Sequence, residues 1–208
     1  MPHPPRKQAR QARAKATEAA ILEGAARILE TGGAAALTTN AIAARSGVSN
    51  GSLYQYYPNK QAIVAALLQR ERQALLAAVQ AVTRAEDVAA APRETLQALI
   101  GVAVAHQFTR PRLALELEHL ERGLDLDDEM AGLAAGLAAE AETVVRACHP
   151  ALDSAAARDA VTLCRALANA AAFEQHSTPE AIHERAACAV FGYLDARARP
   201  AAAIPGSG

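Results

Sequence analysis

Thr38 to Lys60 reads TTNAIAARSGVSNGSLYQYYPNK, and this stretch decides the fold. Asn40 to Arg45 places Ile42 and Ala43 on one apolar helical face, with Thr38 or Thr39 positioned to cap its start. Ser46-Gly47-Val48 interrupts that helix, because Gly47 can take the left-handed conformation that ends one. Ser49 then caps a second helix running to about Tyr56, and Pro58 closes it. Ala43, Val48 and Leu53 supply the small and branched contacts that hold two short helices at a steep angle. This is the plan of a helix-turn-helix, whose second helix enters the DNA major groove.

Helical periodicity sorts the second helix into faces. With Leu53 turned to the core, Asn50, Gly51, Ser52, Tyr54 and Gln55 face outward. Asn50 and Gln55 each offer a donor–acceptor couple that suits adenine, and the Ser52 hydroxyl is an undiscriminating partner. Gly51 carries no side chain, so the backbone there can come close to the groove floor. No Arg or Lys lies on this helix, so the common bidentate arginine–guanine contact is missing from it. Sequence reading is expected to rest on a few hydrogen bonds and on DNA shape.

Thr39, Ile42-Ala43, Gly47-Val48-Ser49, Gly51, Leu53-Tyr54, Tyr56-Tyr57 and Lys60 together resemble the signature of the TetR family of bacterial transcriptional regulators. The resemblance runs from about Thr17 to Leu68. It implies an all-α, nine-helix, two-domain protein with a three-helix DNA-binding head and a helical ligand-binding and dimerisation body. It also implies that Thr39, Tyr54, Tyr56 and Lys60 touch the DNA backbone beside the outward set that Ser49 heads. Asn40 departs from the family's pattern, where a longer or charged residue is common, and no contact is assigned to it.

Charge is distributed to match. The net charge of −1 divides into +5 over residues 1–60 (eight Lys/Arg, three Asp/Glu) and −6 over the remainder (thirteen and nineteen). A basic N-terminal segment on an acidic body points to one end meeting a polyanion. The Pro- and charge-rich start, PHPPRKQARQARAK, reads as a flexible basic arm over residues 1–15. Its Arg6, Lys7, Arg10 and Arg13 are placed to lie along phosphates or to reach into the minor groove. Residues 16–60 form the helix-turn-helix domain, 61–198 the effector-binding and dimerisation domain, and 199–208 a disordered tail.

Thr17 to Thr31 reads as the first helix, with Ile21, Leu22, Ala25, Ile28 and Leu29 on one face and Gly32-Gly33 as its stop. Pro58, Pro92, Pro111, Pro150 and Pro179 mark boundaries, since proline inside a helix costs about 3 kcal/mol. They leave helices near 59–84, 93–109, 112–122, 127–148, 153–176 and 180–197. The last two segments carry Val161, Leu163, Leu167, Ala170, Ala171 and Phe173, then Ile182, Ala186, Ala187, Val190, Phe191 and Leu194. In the family the corresponding pair joins two copies into a homodimer, although the same stripes suit an intrachain core.

The family's body holds a small-molecule effector that releases a repressor from a palindromic operator. The expected effector is small and apolar or amphipathic, and the candidate linings are Leu67, His106, Phe108, Leu115, His119, Met130, Leu133, Leu137 and Phe173. An effector-independent architectural DNA-binding dimer is the alternative. Glu116-x-x-His119 and Glu180-x-x-His183 have the spacing of a helical-bundle di-iron site, the remote alternative of an oxidase. Glu180 after Pro179 is equally explained as an acid at a helix start. Cys148-His149 reads as an exposed helix end. No catalytic residues, metal or cofactor are expected. Three cysteines without C-x-x-C spacing, and no run of about 18 apolar residues, fit a cytoplasmic protein outside the membrane.

Overall fold

Pro92, Pro111 and Pro179 each stand at the first residue of a helix, where a missing N–H is harmless and the fixed φ is already helical. The computed structural model describes residues 6–124, 128–171 and 177–199, and among them lie nine helices and no strand. They are α1 (Arg6–Ala36), α2 (Thr39–Ser46), α3 (Asn50–Tyr56), α4 (Lys60–Ala85), α5 (Pro92–Thr109), α6 (Pro111–Glu121), α7 (Asp128–Cys148), α8 (Ser154–Ala171) and α9 (Pro179–Ala198). The fold is all-α, as expected. The six helices read from the proline spacing match α4 to α9 to within one residue at every described end, residues 172–176 lying outside the described ones.

α1 is longer than the sequence suggested. The stretch read as a flexible arm is helical from Arg6 onward, and Thr17–Thr31 is only its middle. The reason is compositional: RKQARQARAKA is built from Ala, Arg, Lys and Gln, all strong helix formers. Gly33, at φ 68° and ψ −172°, breaks the helical path, and Ala34 to Ala36 add a last turn beyond it.

The chain divides into two compact units. Among the described residues, the first runs to Arg72 and takes in Arg110–Asp128; the second holds Gln73–Thr109 and the residues from Glu129 onward. The division therefore falls inside α4 rather than at residue 60, and α6 goes with the first unit rather than with the body. Polar contacts account for the placement of α6. Arg110, the residue before α6, gives Glu30 two hydrogen bonds (Nε–Oε1 2.6 Å, Nη2–Oε2 2.7 Å) and reaches Glu23 at 3.0 Å, both on α1. Glu116 accepts a hydrogen bond of 2.8 Å from the backbone N–H of Ala34, just past the Gly33 break. Arg72 on α4 pairs with Glu121 at the end of α6.

These charges tune one another. The Arg110 guanidinium holds the Glu30 carboxyl below its ordinary range, against the opposing effect of partial burial. At Glu23 partial burial pushes the pKa up, but hydrogen bonds from Arg27 and Arg110 outweigh it and the carboxyl titrates low. The two acids, in turn, push Arg110 up. The apolar interior of the unit includes Ile21, Ala25, Leu29, Ile42, Leu53, Ile63 and Leu67, each at most 1% exposed.

The second unit has its own core. Val79 of α4, Leu96, Leu99, Ile100 and Val104 of α5, Val144 and Val145 of α7, and residues of α8 and α9 form one buried cluster. α5, α8 and α9 pack against one another. Ala156, Ala157, Ala160, Ala168 and Ala186 keep these helices close, and Gly136 of α7 lets Leu76 of α4 approach within 3.2 Å of where a Cβ would stand. The residues named as a dimer stripe separate here. Ile182, Ala186, Val190, Leu194 and Ala171 are buried within the subunit, and Leu163, Leu167, Ala187 and Phe191 pack against its core. Val161, 43% exposed, and Ala170 face outward. Most of that stripe is thus intrachain core, because α8 and α9 spend their apolar faces on each other and on α5.

Cys148, Cys164 and Cys188 are free thiols. Burial pushes Cys164 up to about 11 and also raises Cys148. Cys148-His149 is not an exposed helix end: Cys148 is half-buried and the His149 side chain is 14% exposed, 3.2 Å from Asp195 on α9. Among the described residues no helix is long and apolar enough to cross a membrane.

Candidate nucleic-acid interface

The α2–turn–α3 segment is built from local signals that agree. Thr38, at φ −126° and ψ 155°, is the N-cap of α2, and its Oγ1 accepts from the Ala41 N–H at 3.1 Å. Of the two threonines the cap is therefore Thr38, which frees Thr39. Gly47 takes φ 71° and ψ 23° and ends α2, and Val48 N–H returns to the Ala43 carbonyl at 3.1 Å. Here the left-handed backbone makes glycine the fitting residue. Ser49 caps α3 by accepting from Ser52 N–H at 3.0 Å. Behind the turn α1 and α2 touch closely, since a Cβ on Gly24 would lie 3.2 Å from the Ser46 Cβ.

Leu53 is fully buried, so the opposite side of α3 must face out. Asn50, Gly51 and Gln55 are exposed, and Tyr54 is 51% exposed. Ser52 is only half-buried rather than open, its hydroxyl 2.9 Å from that of Ser49. This pair ties both hydroxyls to the cap. A Cβ added to exposed Gly51 would meet nothing closer than the Ser49 hydroxyl at 3.9 Å. Packing inside the unit does not call for glycine at that position, which leaves a close approach from outside as its physical use.

The residues expected to meet the DNA backbone surround this face. Thr39 Oγ1 lies 3.2 Å from Tyr54 OH, so two hydroxyls on α2 and α3 share one hydrogen bond. Tyr56 is half-buried. Lys60 is the first residue of α4, where Asn59 Oδ1 caps the Ala62 N–H at 2.8 Å and the helix end attracts anions. Tyr57 is half-buried, and burial raises its phenol pKa, which suits the core role read for it. Arg10 and Arg13 are exposed on the first turns of α1, and Arg6 and Lys7 begin that helix. Asn40, to which the sequence assigned nothing, is exposed and accepts a 2.9 Å hydrogen bond from Asn50 Nδ2. No periodicity signal marks such a pair, because its members lie on two helices.

The candidate effector linings are not gathered into one unit. Leu67, Leu115 and His119 belong to the first; His106, Phe108, Met130, Leu133 and Leu137 belong to the second; Phe173 lies outside the described residues. Leu67 and Met130 are buried, His119 is exposed, and Phe108 and Leu137 pack against the second unit's core. A cleft of about 370 Å³ in the first unit is lined by Ala20, Glu23, Gly24, Arg27, Arg45 and Ser46, none of them an expected lining. The Glu-x-x-His motifs have other occupations: Glu116 bonds Ala34, and His183 Nε2 lies 3.1 Å from the Gln97 carbonyl.

A capped two-helix turn with an open polar reading face, carried on an all-helical chain, defines a helix-turn-helix DNA-binding protein. The model of the tetR family of bacterial regulatory proteins matches residues 21–67, from α1 through the first turns of α4. Solved structures share the fold over most of the chain. A TetR-family transcriptional regulator from Streptomyces coelicolor superposes with TM-score 0.70 at 19% identity, covering 89% of this chain and 97% of its own. A second from the same organism reaches 0.64 at 25% identity, covering 86% and 98%. The fatty acid degradation regulator FadR from Bacillus halodurans reaches 0.69 at 16% identity, covering 84% and 97%. No curated protein matches the chain by sequence. The chain is thus similar to the TetR family of transcriptional regulators, its head by sequence and its body by fold.

Proposed function

We propose that this protein is a repressor that binds a palindromic operator as a homodimer and is released by a small apolar or amphipathic effector. The observation that carries the DNA-binding part is the α3 face: Leu53 locked inward, with Asn50, Gly51, Tyr54 and Gln55 open to a partner. Phosphate contacts come from Thr39, Tyr54, Tyr56 and Lys60, and from the α1 arginines; base reading comes from Asn50, Ser52 and Gln55. Two copies join through the outward faces of α8 and α9, where Val161, Ala166, Ala170, Cys188 and Gly192 are exposed. Small side chains there allow a close helix–helix approach.

The effector site is placed in the second unit, near His106, Phe108, Met130, Leu133 and Leu137, the candidate linings that this unit contains. An effector acts only by preferring the subunit arrangement that does not fit two half-sites. Selection from a random duplex library by the purified protein tests the reading. The expected product is an inverted repeat whose half-site centres lie about 34–36 Å, one helical turn, apart or a multiple of it. A bound pool no different from the input would overturn it. A selected operator that no apolar ligand releases would leave the effector-independent dimer in its place.

A further inference from the structure

The cleft in the first unit is built from one stripe of α1 set against the end of α2. Ala20, Glu23, Gly24 and Arg27 recur at helical spacing and share a face of α1, and Arg45 and Ser46 close α2. Gly24 is buried, and a Cβ there would stand 3.2 Å from the Ser46 Cβ, so the two helices meet beside the cleft. Its volume of about 370 Å³ lies within the range of small-molecule sites. We propose that this cleft binds a small organic oxyanion, a carboxylate or a phosphate monoester, held by its charged head on Arg45 and Arg27. Such a site goes beyond the DNA-binding function and does not depend on it.

The charges around the cleft select an anion. Glu23 lines it, but both oxygens of that carboxylate are already met: Oε1 accepts from Arg27 Nε at 2.9 Å and Oε2 from Arg110 Nη1 at 3.0 Å. Arg110 is shared with Glu30, so two acids face two guanidiniums in this network and their charges cancel. Arg45 stands outside it. It is exposed, and among the described residues it has no hydrogen-bond or ion-pair partner. The cleft therefore carries an uncompensated positive charge. Among the described residues Arg27 gives only its Nε to Glu23, which leaves its terminal N–H groups for a second oxyanion. The Ser46 hydroxyl donates to the Ile42 carbonyl at 2.6 Å, so recognition falls to the guanidiniums, whose planar forks match carboxylate and phosphate. Ala20 and Gly24 supply an uncharged wall for the rest of the ligand. A DNA phosphate is a poorer occupant, because Arg45 lies about 9 Å along α2 and about 120° around from Thr39, the α2 residue beside the reading face.

The experiment is backbone-amide NMR titration of the full chain, at fixed ionic strength, with benzoate, with phenyl phosphate and with benzamide, the neutral counterpart of benzoate. Saturable shifts are expected at Gly24 and Ser46 with at least one of the anions, half-complete at about 1–10 mM for ligands of this size. The anion that binds more tightly names the head group, and benzamide should bind about ten-fold more weakly or worse. Arg45→Gln should weaken the anion about ten-fold, and Arg45→Lys, which keeps the charge and loses the fork, by less. Arg122→Gln, at an exposed position of the same unit that does not line the cleft, should change nothing. The melting temperature of each variant is measured alongside without ligand. Shifts that stay linear, that benzamide reproduces or that persist in Arg45→Gln would overturn the proposal. An Arg45 that only offsets the dipole at the end of α2 would lower the melting temperature on change to Gln and leave the titration as it was, which also refutes it. So does an Arg45→Gln protein that loses affinity equally for operator and scrambled duplex, since the guanidinium would then belong to a DNA phosphate. The DNA-binding reading survives each of these results.

Discussion

Arg10 and Arg13 give the most quantitative handle on how this protein holds DNA. Both are exposed near the start of α1, and the backbone from Arg6 onward is helical rather than extended. That conformation decides their target. A helix about 10 Å across does not enter a minor groove about 6 Å wide, so these arginines act on phosphates along the groove's rim. Each phosphate neutralised contributes about 0.9 to the slope of log K against log salt. Changing both residues to Gln removes two charges per subunit, hence four in the proposed dimer, and the slope should become shallower by about 3.6. Between about 50 and 200 mM salt, that difference corresponds to about a hundred-fold change in relative affinity. Gln keeps helix propensity close to that of Arg, so α1 itself should persist. Fluorescence anisotropy on a labelled operator and on a scrambled duplex reads the slope, which should change equally on both, since phosphates carry no sequence information. Parallel salt plots for the variant and the wild type would refute the phosphate role, and a change confined to the operator would refute the argument from helix width.

Three other perturbations probe the framework. Arg110→Gln removes the main partner that keeps Glu30, and one of the two that keep Glu23, below the ordinary carboxylate value of 4.5, and should lower head stability by about 1–2 kcal/mol at neutral pH. The stability these acids supply is present above that value and is lost as pH falls through their lowered pKa values. The acid-induced drop in melting temperature should therefore be smaller in the variant, and equal pH profiles would refute the linkage. Gly24→Val, forced against Ser46 between α1 and α2, should cost about 1–3 kcal/mol by thermal melting; an unchanged melt would mean the two helices separate freely. Val161→Glu on the exposed face of α8 should yield monomers by sedimentation with subunit helicity intact, and a persistent dimer would move the interface elsewhere.

Much of this organisation was legible from short-range chemistry. Proline at helix starts, the left-handed Gly47 and the Ser49 cap are signals a few residues long, and each falls where the sequence placed it. The buried Leu53 likewise follows from a single helical wheel. What escaped depended on distant partners or on competing tendencies. Arg110 sits before a proline and looks like a surface charge, yet its partners Glu23 and Glu30 lie on α1, far back along the chain. That link carries α6 into the first unit, which no periodicity reveals. In the arm, helix-forming composition prevailed over the disorder suggested by charge and proline. The apolar stripes of α8 and α9 were real, but a stripe does not say whether its partner is the same chain or another copy, and most of this one is answered by α8 and α9 packing on each other and on α5.

The central claim is that the outward face of α3 docks directly into the major groove, and Gly51→Leu tests it most directly. Gly51 is exposed, and an added Cβ has open space within the head, so the variant should fold and melt slightly higher, by up to about 1 kcal/mol of helix propensity. On DNA the same side chain would occupy the space through which the backbone approaches the groove floor. The measurement is operator affinity by anisotropy beside the melting curve of the same preparation. The account predicts a stable protein whose specific binding is reduced a hundred-fold or more, by roughly 3 kcal/mol. A stable Gly51→Leu protein that binds the operator as the wild type does would contradict it.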